Sequence, residues 1–229
     1  MPMKLVIGNK NYSSWSMRPW VLAKGLGIPF EEVKLRFDFN AGSPFYQALA
    51  KHTPAGKVPV LVEDDGFAVW DTLAITEYLA ERHPEAGVWP ADARQRARAR
   101  SLCAEMHSGF GQLRSLCPMN IEAALQAKGA ELLASEPGLG KDLARISELL
   151  QGALAASRGP FLFGTFCAAD AFYAPVAMRI RSYGLPVPPV VGAYLDRLAS
   201  APGVREWITD ALAEHDFIAD DEPYRTAPA

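Results

Sequence analysis

Cysteine is scarce in this chain. The 229 residues include three, Cys103, Cys117 and Cys167, with no CxxC pair and no Cys/His spacing suited to zinc. A disulfide-built scaffold and a structural zinc site are disfavoured, and the usage fits a reducing compartment. Long apolar runs are missing too. Leu5-Val6-Ile7 is too short for a signal peptide, and no stretch reaches the roughly 18 residues of a membrane span. Neither sign of charge dominates: 23 basic and 26 acidic residues leave a net charge of −3, the wrong sign for a nucleic-acid footprint. Arg94, Arg96, Arg98 and Arg100 form the one basic run, and a spacing of two spreads them around a helix. There is no GxSxG elbow, no GxGxxG and no GK[ST] loop, which disfavours a serine hydrolase, a dinucleotide enzyme and a P-loop NTPase. A cytoplasmic protein without metal, membrane or nucleic-acid partner is the expectation.

What is present is ordinary packing material: 49% hydrophobic and 21% charged residues, enough to offset the entropy of ordering. The length suits one large domain or two small ones. The first 84 residues mix two periodicities. Short apolar runs at 4–8, 30–37, 58–62 and 67–70 predict strands, the last two joined by the turn Asp64-Asp65-Gly66. Helical patterns start near Ser16, with Pro19 in the first turn, within 41–54, and after Asp71-Thr72. The order is β-α-β-α-β-β-α. Pro59 inside the third strand would demote it to an edge unless its peptide bond is cis. Residues 85–91, with Gly87 and Pro90, read as a linker. Every later signal is helical, at 94–117, 121–134, 139–156, 168–183, 190–199 and 204–213, with an irregular tail after Asp216. The expected architecture is an α/β domain at 1–84 and an all-α domain at 92–229.

Hydroxyls crowd the first strand-helix junction: Tyr12, Ser13, Ser14 and Ser16. Serines there cap helices, and Asp71-Thr72 is a good cap for the third helix. Three motifs add a second meaning. Ser13-Ser14-Trp15-Ser16-Met17-Arg18, Gly56-Lys57-Val58-Pro59-Val60-Leu61 and Asp71-Thr72-Leu73-Ala74-Ile75, in that order, resemble the zeta-like, serine-type cytosolic glutathione transferases, the group that includes maleylacetoacetate isomerase-like proteins. The helical second half resembles the same family, so the resemblance covers nearly the whole chain. It implies a thioredoxin-like domain with a mixed four-stranded sheet, followed by helices.

The resemblance also implies a division of labour. Ser13 matches the serine that activates the thiol of glutathione, with Ser14, Tyr12 and Ser16 as the next candidates. A free thiol titrates near about 8.5, and a hydrogen bond to the sulfur favours the thiolate. The absence of cysteine at this junction argues against the thiol-exchange branches. Lys57, Val58, Pro59, Asp71 and Thr72 would bind glutathione: the Val58 backbone along the cysteinyl part, the helix start at Thr72 on the γ-glutamyl carboxylate, Asp71 on its ammonium, and Lys57 on a carboxylate. The family more often has Glu-Ser where this chain has Asp-Thr, and Trp15 stands at the cysteine position of the fuller Ser-Ser-Cys motif. Trp15, His107, Phe110 and Arg114 are the expected pocket for a small electrophile, the last three sharing one helical face. Arg179 and Arg181 are candidates for substrate carboxylates. Asp170 resembles the family's buried structural aspartate, with Cys167 in place of the capping Ser or Thr. Family members are dimers, so a homodimer is implied. The implied activity is glutathione transfer. The alternatives are a glutathione-dependent cis–trans isomerase and a non-catalytic glutathione-binding scaffold.

Overall fold

In the computed structural model, which describes residues 3–227, the chain opens as the alternation predicts. Strand β1 (Lys4–Ile7) leads into helix α1 (Ser14–Gly25), then strand β2 (Glu31–Lys34) and helix α2 (Pro44–Leu49). Strands β3 (Val60–Val62) and β4 (Ala68–Trp70) form the hairpin, and helix α3 (Thr72–Arg82) follows. The sheet order is β2-β1-β3-β4, with β1 parallel to β2 and antiparallel to β3. β3 is therefore interior. The Val58–Pro59 peptide bond is cis and lies just ahead of the paired residues, so the proline costs the ladder no donor. Helix α1 begins two residues earlier than expected, at the Ser13 cap, which puts Pro19 inside the helix instead of in its first turn.

Seven helices make up the rest: α4 (Ala93–Ser108), α5 (Gly111–Leu116), α6 (Gln126–Ser135), α7 (Pro137–Ala156), α8 (Ala168–Tyr183), α9 (Pro189–Ser200) and α10 (Pro202–Ala213). Three of these open on a proline at the first helical position, where a missing N–H costs nothing. Two expectations are corrected. The long helix at 94–117 is broken, because Phe110 adopts a left-handed backbone with φ 58° and α4 ends at Ser108. The helix expected from residue 121 starts at Gln126. Asn120 diverts the chain there, its Oδ1 accepting from the Ala123 N–H at 3.1 Å, a local bond that competes with helix.

The two halves meet on the loop after β1. The ammonium of Lys10 is buried against Asp210 of α10 at 2.5 Å and Glu32 at 2.8 Å. It lies 4.3 Å from the Trp20 ring centroid, and the Trp207 indole donates to the Lys10 carbonyl at 3.0 Å. Trp20 and Trp207 themselves pack edge to face at 5.3 Å. Further along, the Asn11 side chain donates to Asn120 at 3.0 Å. Gly203 lets α10 close on α1, since a Cβ there would sit 2.9 Å from the Val21 carbonyl. Among the described residues no helix is long and apolar enough to cross a membrane.

Helix α8 is the buried centre of the helical half. At its start Asp170, fully buried, accepts from the Cys167 N–H at 3.0 Å, the Leu162 N–H at 3.2 Å and the Tyr194 hydroxyl at 2.9 Å. Burial pushes its carboxyl up to about 6, against the pull of those donors. Asp170→Ala strands all three donors. It should lower the unfolding free energy by roughly 3–5 kcal/mol, measured by urea denaturation, and Asp170→Asn should cost less because its amide oxygen still accepts.

Candidate active site

A cleft of about 960 Å³ runs along the junction of the halves, walled by Tyr12, Ser13, Ser14 and Trp15, by Lys57, Val58 and Pro59, by Asp71 and Thr72, and by Arg114 and Arg179. These groups are scattered in sequence from Tyr12 to Arg179. β1 ends at one side of the cleft, the turn before β3 at its centre and the start of α3 at its far side. The sheet order alone brings the three motifs together.

Ser13 is the cap of α1. Its Oγ accepts from the Ser16 N–H at 3.4 Å and donates to Ser16 Oγ at 2.7 Å. Ser16 is fully buried and its Oγ accepts from the Gly8 N–H at 3.2 Å, so it supports the junction and does not face the cleft. Ser14 Oγ accepts from the Arg179 guanidinium at 3.2 Å, which leaves its own O–H free to donate. Tyr12 turns its hydroxyl away, donating its one proton to Glu222 at 2.7 Å with the Asp216 carbonyl oxygen also within reach at 3.0 Å. Burial and that carboxylate push its pKa up to about 12.

Across the cleft Asp71 has φ 76°, a conformation that costs a non-glycine residue about 1–3 kcal/mol. Its Oδ1 accepts from the Leu73 and Ala74 N–H groups at 2.8 and 3.4 Å. Those two donors are thereby spent, and the Thr72 N–H remains to meet an anion at the start of α3. The Thr72 side chain is fully buried although the residue borders the cleft. Its hydroxyl points the other way, 3.3 Å from Nδ1 of His107.

The expected common face of His107, Phe110 and Arg114 does not form, because the helix carrying them is broken. Phe110 is buried at the break. His107 sits behind the cleft wall, with Nε2 3.2 Å from Asp71 Oδ2 and its ring edge-on to Trp15 at 5.0 Å. Arg114 folds back onto the end of α4. It donates to the carbonyls of Met106, of His107 at 3.0 Å and of Gly109 at 2.9 Å, while its guanidinium still borders the cleft.

Arg179 reaches the cleft and Arg181 does not. Residues two apart on a helix point to nearly opposite sides, and Arg181 is exposed to solvent. Arg18, 1% exposed, lies behind Trp15 with its guanidinium 4.1 Å from that ring and 5.3 Å from the Phe172 ring. Arg114 stands 4.8 Å from the Trp15 ring. None of the three arginines forms an ion pair among the described residues. Nε and Nη1 of Arg18 and Nε of Arg179 have no protein hydrogen-bond partner there. Burial lowers the pKa of all three, Arg179 to about 10, and repulsion within the trio adds to the shift for Arg18 and Arg179. A guanidinium keeps its proton in proteins, so all three are cations at neutral pH.

Sequence reasoning did not place Arg18 in this cluster. An arginine inside the apolar stretch 168–180 was a usable signal for Arg179. The aromatic wall of Phe37, Phe39, Phe45 and Tyr46 had none, since it joins an irregular loop to the short helix α2. Asp221 from the tail also borders the cleft, its carboxyl raised to about 6 by burial and by Asp220 and Glu222. No group of His, Cys, Asp and Glu suited to a metal occurs among the described residues.

Sequence profiles agree with this geometry. That of the glutathione S-transferase N-terminal domain matches residues 12–82, and that of the C-terminal domain matches residues 121–210. The chain belongs to the glutathione S-transferase family. It is 32% identical over 120 residues to a maleylacetoacetate isomerase of Pseudomonas aeruginosa, covering 52% of this chain and 55% of that one. With glutathione S-transferase 1 of Dianthus caryophyllus it shares 27% identity over 185 residues, 80% of each chain. The chain spans about half the length of the first two curated relatives it matches, 55% and 45%. Among solved structures, a glutathione transferase homolog from Burkholderia gl BGR1 with bound glutathione is 28% identical, with a TM-score of 0.62 over 93% of this chain and 100% of that one. A sphingomonad glutathione S-transferase complexed with glutathione is 25% identical, with a TM-score of 0.60 over 91% and 98%.

Arg114 links the cleft to the end of α4, where three carbonyls need donors. Arg114→Gln should lower stability by about 1–2 kcal/mol, read from chemical denaturation. Arg114→Lys should recover only part of it, because one ammonium cannot reproduce the guanidinium fork.

Proposed function

We propose that this protein is a serine-type glutathione transferase. Glutathione lies along the cleft, its cysteinyl part beside Val58 and its γ-glutamyl end on Asp71 and the Thr72 N–H. Lys57 stands near enough to the cleft to meet a carboxylate. The thiol then falls at the start of α1, where Ser13 donates to the sulfur and the helix N-terminus adds positive potential. The observation that carries this reading is the meeting of the Ser13 and Ser14 hydroxyls, Val58 and Asp71-Thr72 in one cleft. The thiolate attacks a carbon of a small electrophile: a carbon–sulfur bond forms as a leaving group departs with its bonding electron pair, or, at a conjugated double bond, as the π electrons shift away and are taken up with a proton.

The arginine trio supports a refinement. Arg114 and Arg179 border the cleft without counterions, so an electrophile with a carboxylate on an apolar body is favoured over a wholly apolar one. The same feature, with relatives named as maleylacetoacetate isomerases, favours a second reading. There the thiolate adds to a conjugated double bond, rotation follows, and the thiolate leaves unchanged.

Calorimetry with glutathione, coupled to ultraviolet detection of the bound thiolate, tests the first step. Binding with a thiol pKa below its free value is the expected result, whereas binding without that shift would mark a non-catalytic carrier. Ser13→Ala should raise the bound thiol pKa by about one to two units, and an unchanged value would transfer the role to Ser14. Arg179→Ala should raise KM roughly tenfold for a carboxylate-bearing electrophile and leave that for a neutral one within about twofold. Equal losses for both would remove the acidic preference.

A further inference from the structure

His107 stands outside every role assigned so far. It comes from the helical half, yet both its ring nitrogens meet the pair that we read as the γ-glutamyl site, Nε2 at 3.2 Å from Asp71 Oδ2 and Nδ1 at 3.3 Å from Thr72 Oγ1. Asp71 as a carboxylate only accepts, so Nε2 must carry a hydrogen. In the neutral ring Nδ1 is then bare, and the Thr72 hydroxyl must donate to it. The arrangement fixes one tautomer and one hydroxyl direction. It also fixes the Asp71 side chain at both ends, Oδ1 on the first turn of α3 and Oδ2 on the imidazole.

We propose that His107 is a positioning residue that sets the specificity of the cleft for the γ-glutamyl group. The proposal rests on the reading of Asp71 and Thr72 given above. A neutral imidazole aims Oδ2 while leaving the full negative charge of Asp71 for the glutamyl ammonium. An imidazolium occupies the same carboxylate with a second cation and weakens that attraction. The surroundings favour the neutral ring. Trp15 covers one edge. Burial is the main opponent of a positive charge on the ring, and Arg18 on α1 and Arg114 on α5 add to it, against the opposite pull of Asp71. These are the charged groups facing the ring from each element packed on it.

The test uses S-hexylglutathione, which has no thiol to ionise, and S-hexylcysteinylglycine, which lacks the γ-glutamyl group. Calorimetry on the full chain at pH 7.5 should show that His107→Ala reduces the preference for the first over the second by about tenfold, or about 1.4 kcal/mol. Affinity for the dipeptide should stay within about twofold. His107→Gln presents one donor and one acceptor without a charge, and should restore most of the preference. As pH falls from 7.5 to 5.5, wild type should lose affinity for S-hexylglutathione, and His107→Gln should change less. Equal losses for both ligands, or an unchanged preference in a folded His107→Ala protein, would overturn the proposal. Failure of wild type to discriminate the two ligands at all would overturn instead the placement of the glutamyl group on Asp71 and Thr72.

Discussion

A buried ammonium holds the two halves of this protein in register. Lys10 reaches Glu32 on the sheet side and Asp210 on α10, and the two tryptophans around it exclude water. An ion cluster of this kind adds little net stability relative to a well-packed apolar replacement, yet losing one partner is costly. Its value is geometric. Lys10 stands three residues before Ser13, so whatever fixes its backbone fixes the start of α1. The Trp207 bond to the Lys10 carbonyl, the Glu214 carboxylate on the Lys10 and Asn11 N–H groups, and the Asn11–Asn120 contact do this from the helical half. The serine junction is thus positioned by residues more than a hundred positions away.

The electrostatics of the cleft follow from that closure. Three guanidinia converge around Trp15 and the Ser14 hydroxyl, and none has a carboxylate partner among the described residues. Stacking on Trp15 and Phe172 replaces part of the lost hydration of Arg18. The α4 carbonyls do the same for Arg114 through hydrogen bonds. The trio leaves a positive field along this side of the cleft, moderated by Asp71 and Asp221 on the same lining, and that field favours a thiolate, a carboxylate or both. Asp71 lies on the same lining, within electrostatic reach of Arg18, so the cleft offers an ammonium a carboxylate beside the groups that suit an anion. Glutathione, zwitterionic at its γ-glutamyl end and anionic at an ionised sulfur, matches that pairing of charges.

Much of this was legible in the sequence, and what was not has a physical reason. Alternation and turn residues located the four described strands, and Pro59 next to an apolar run marked the cis bond at Val58–Pro59. The motif order reported which segments meet, because in this topology the end of β1, the start of β3 and the end of β4 share one edge of the sheet. The electrophile side was harder to read. The expected face of His107, Phe110 and Arg114 assumed a continuous helix, and nothing in the local sequence announces that Phe110 adopts a left-handed backbone. Gly109 beside it was the available hint. Once the helix breaks, an i+7 relation no longer means a shared face, and His107 moves from the expected electrophile wall to Asp71 and Thr72.

Magnitudes decide how the serine junction divides its work. A helix N-terminus offers about 0.3–1 kcal/mol to an anion, and up to about 2 when partly buried. A hydrogen bond to a charged acceptor is worth about 1.5–3 kcal/mol. The hydroxyl is therefore the larger effect, with the helix second. Ser13 must give up its bond to Ser16 Oγ to serve the sulfur, and that exchange replaces a neutral hydrogen bond with a charged one. Ser14 gives up nothing, since Arg179 donates to it and its proton is unassigned. Ser14 is also polarised by a cation, which strengthens it as a donor. The two serines differ in kind: Ser13 is set by the cap of α1, and Ser14 by an arginine of α8. The cleft therefore couples thiolate stabilisation to the residue that would hold the carboxylate of the second substrate.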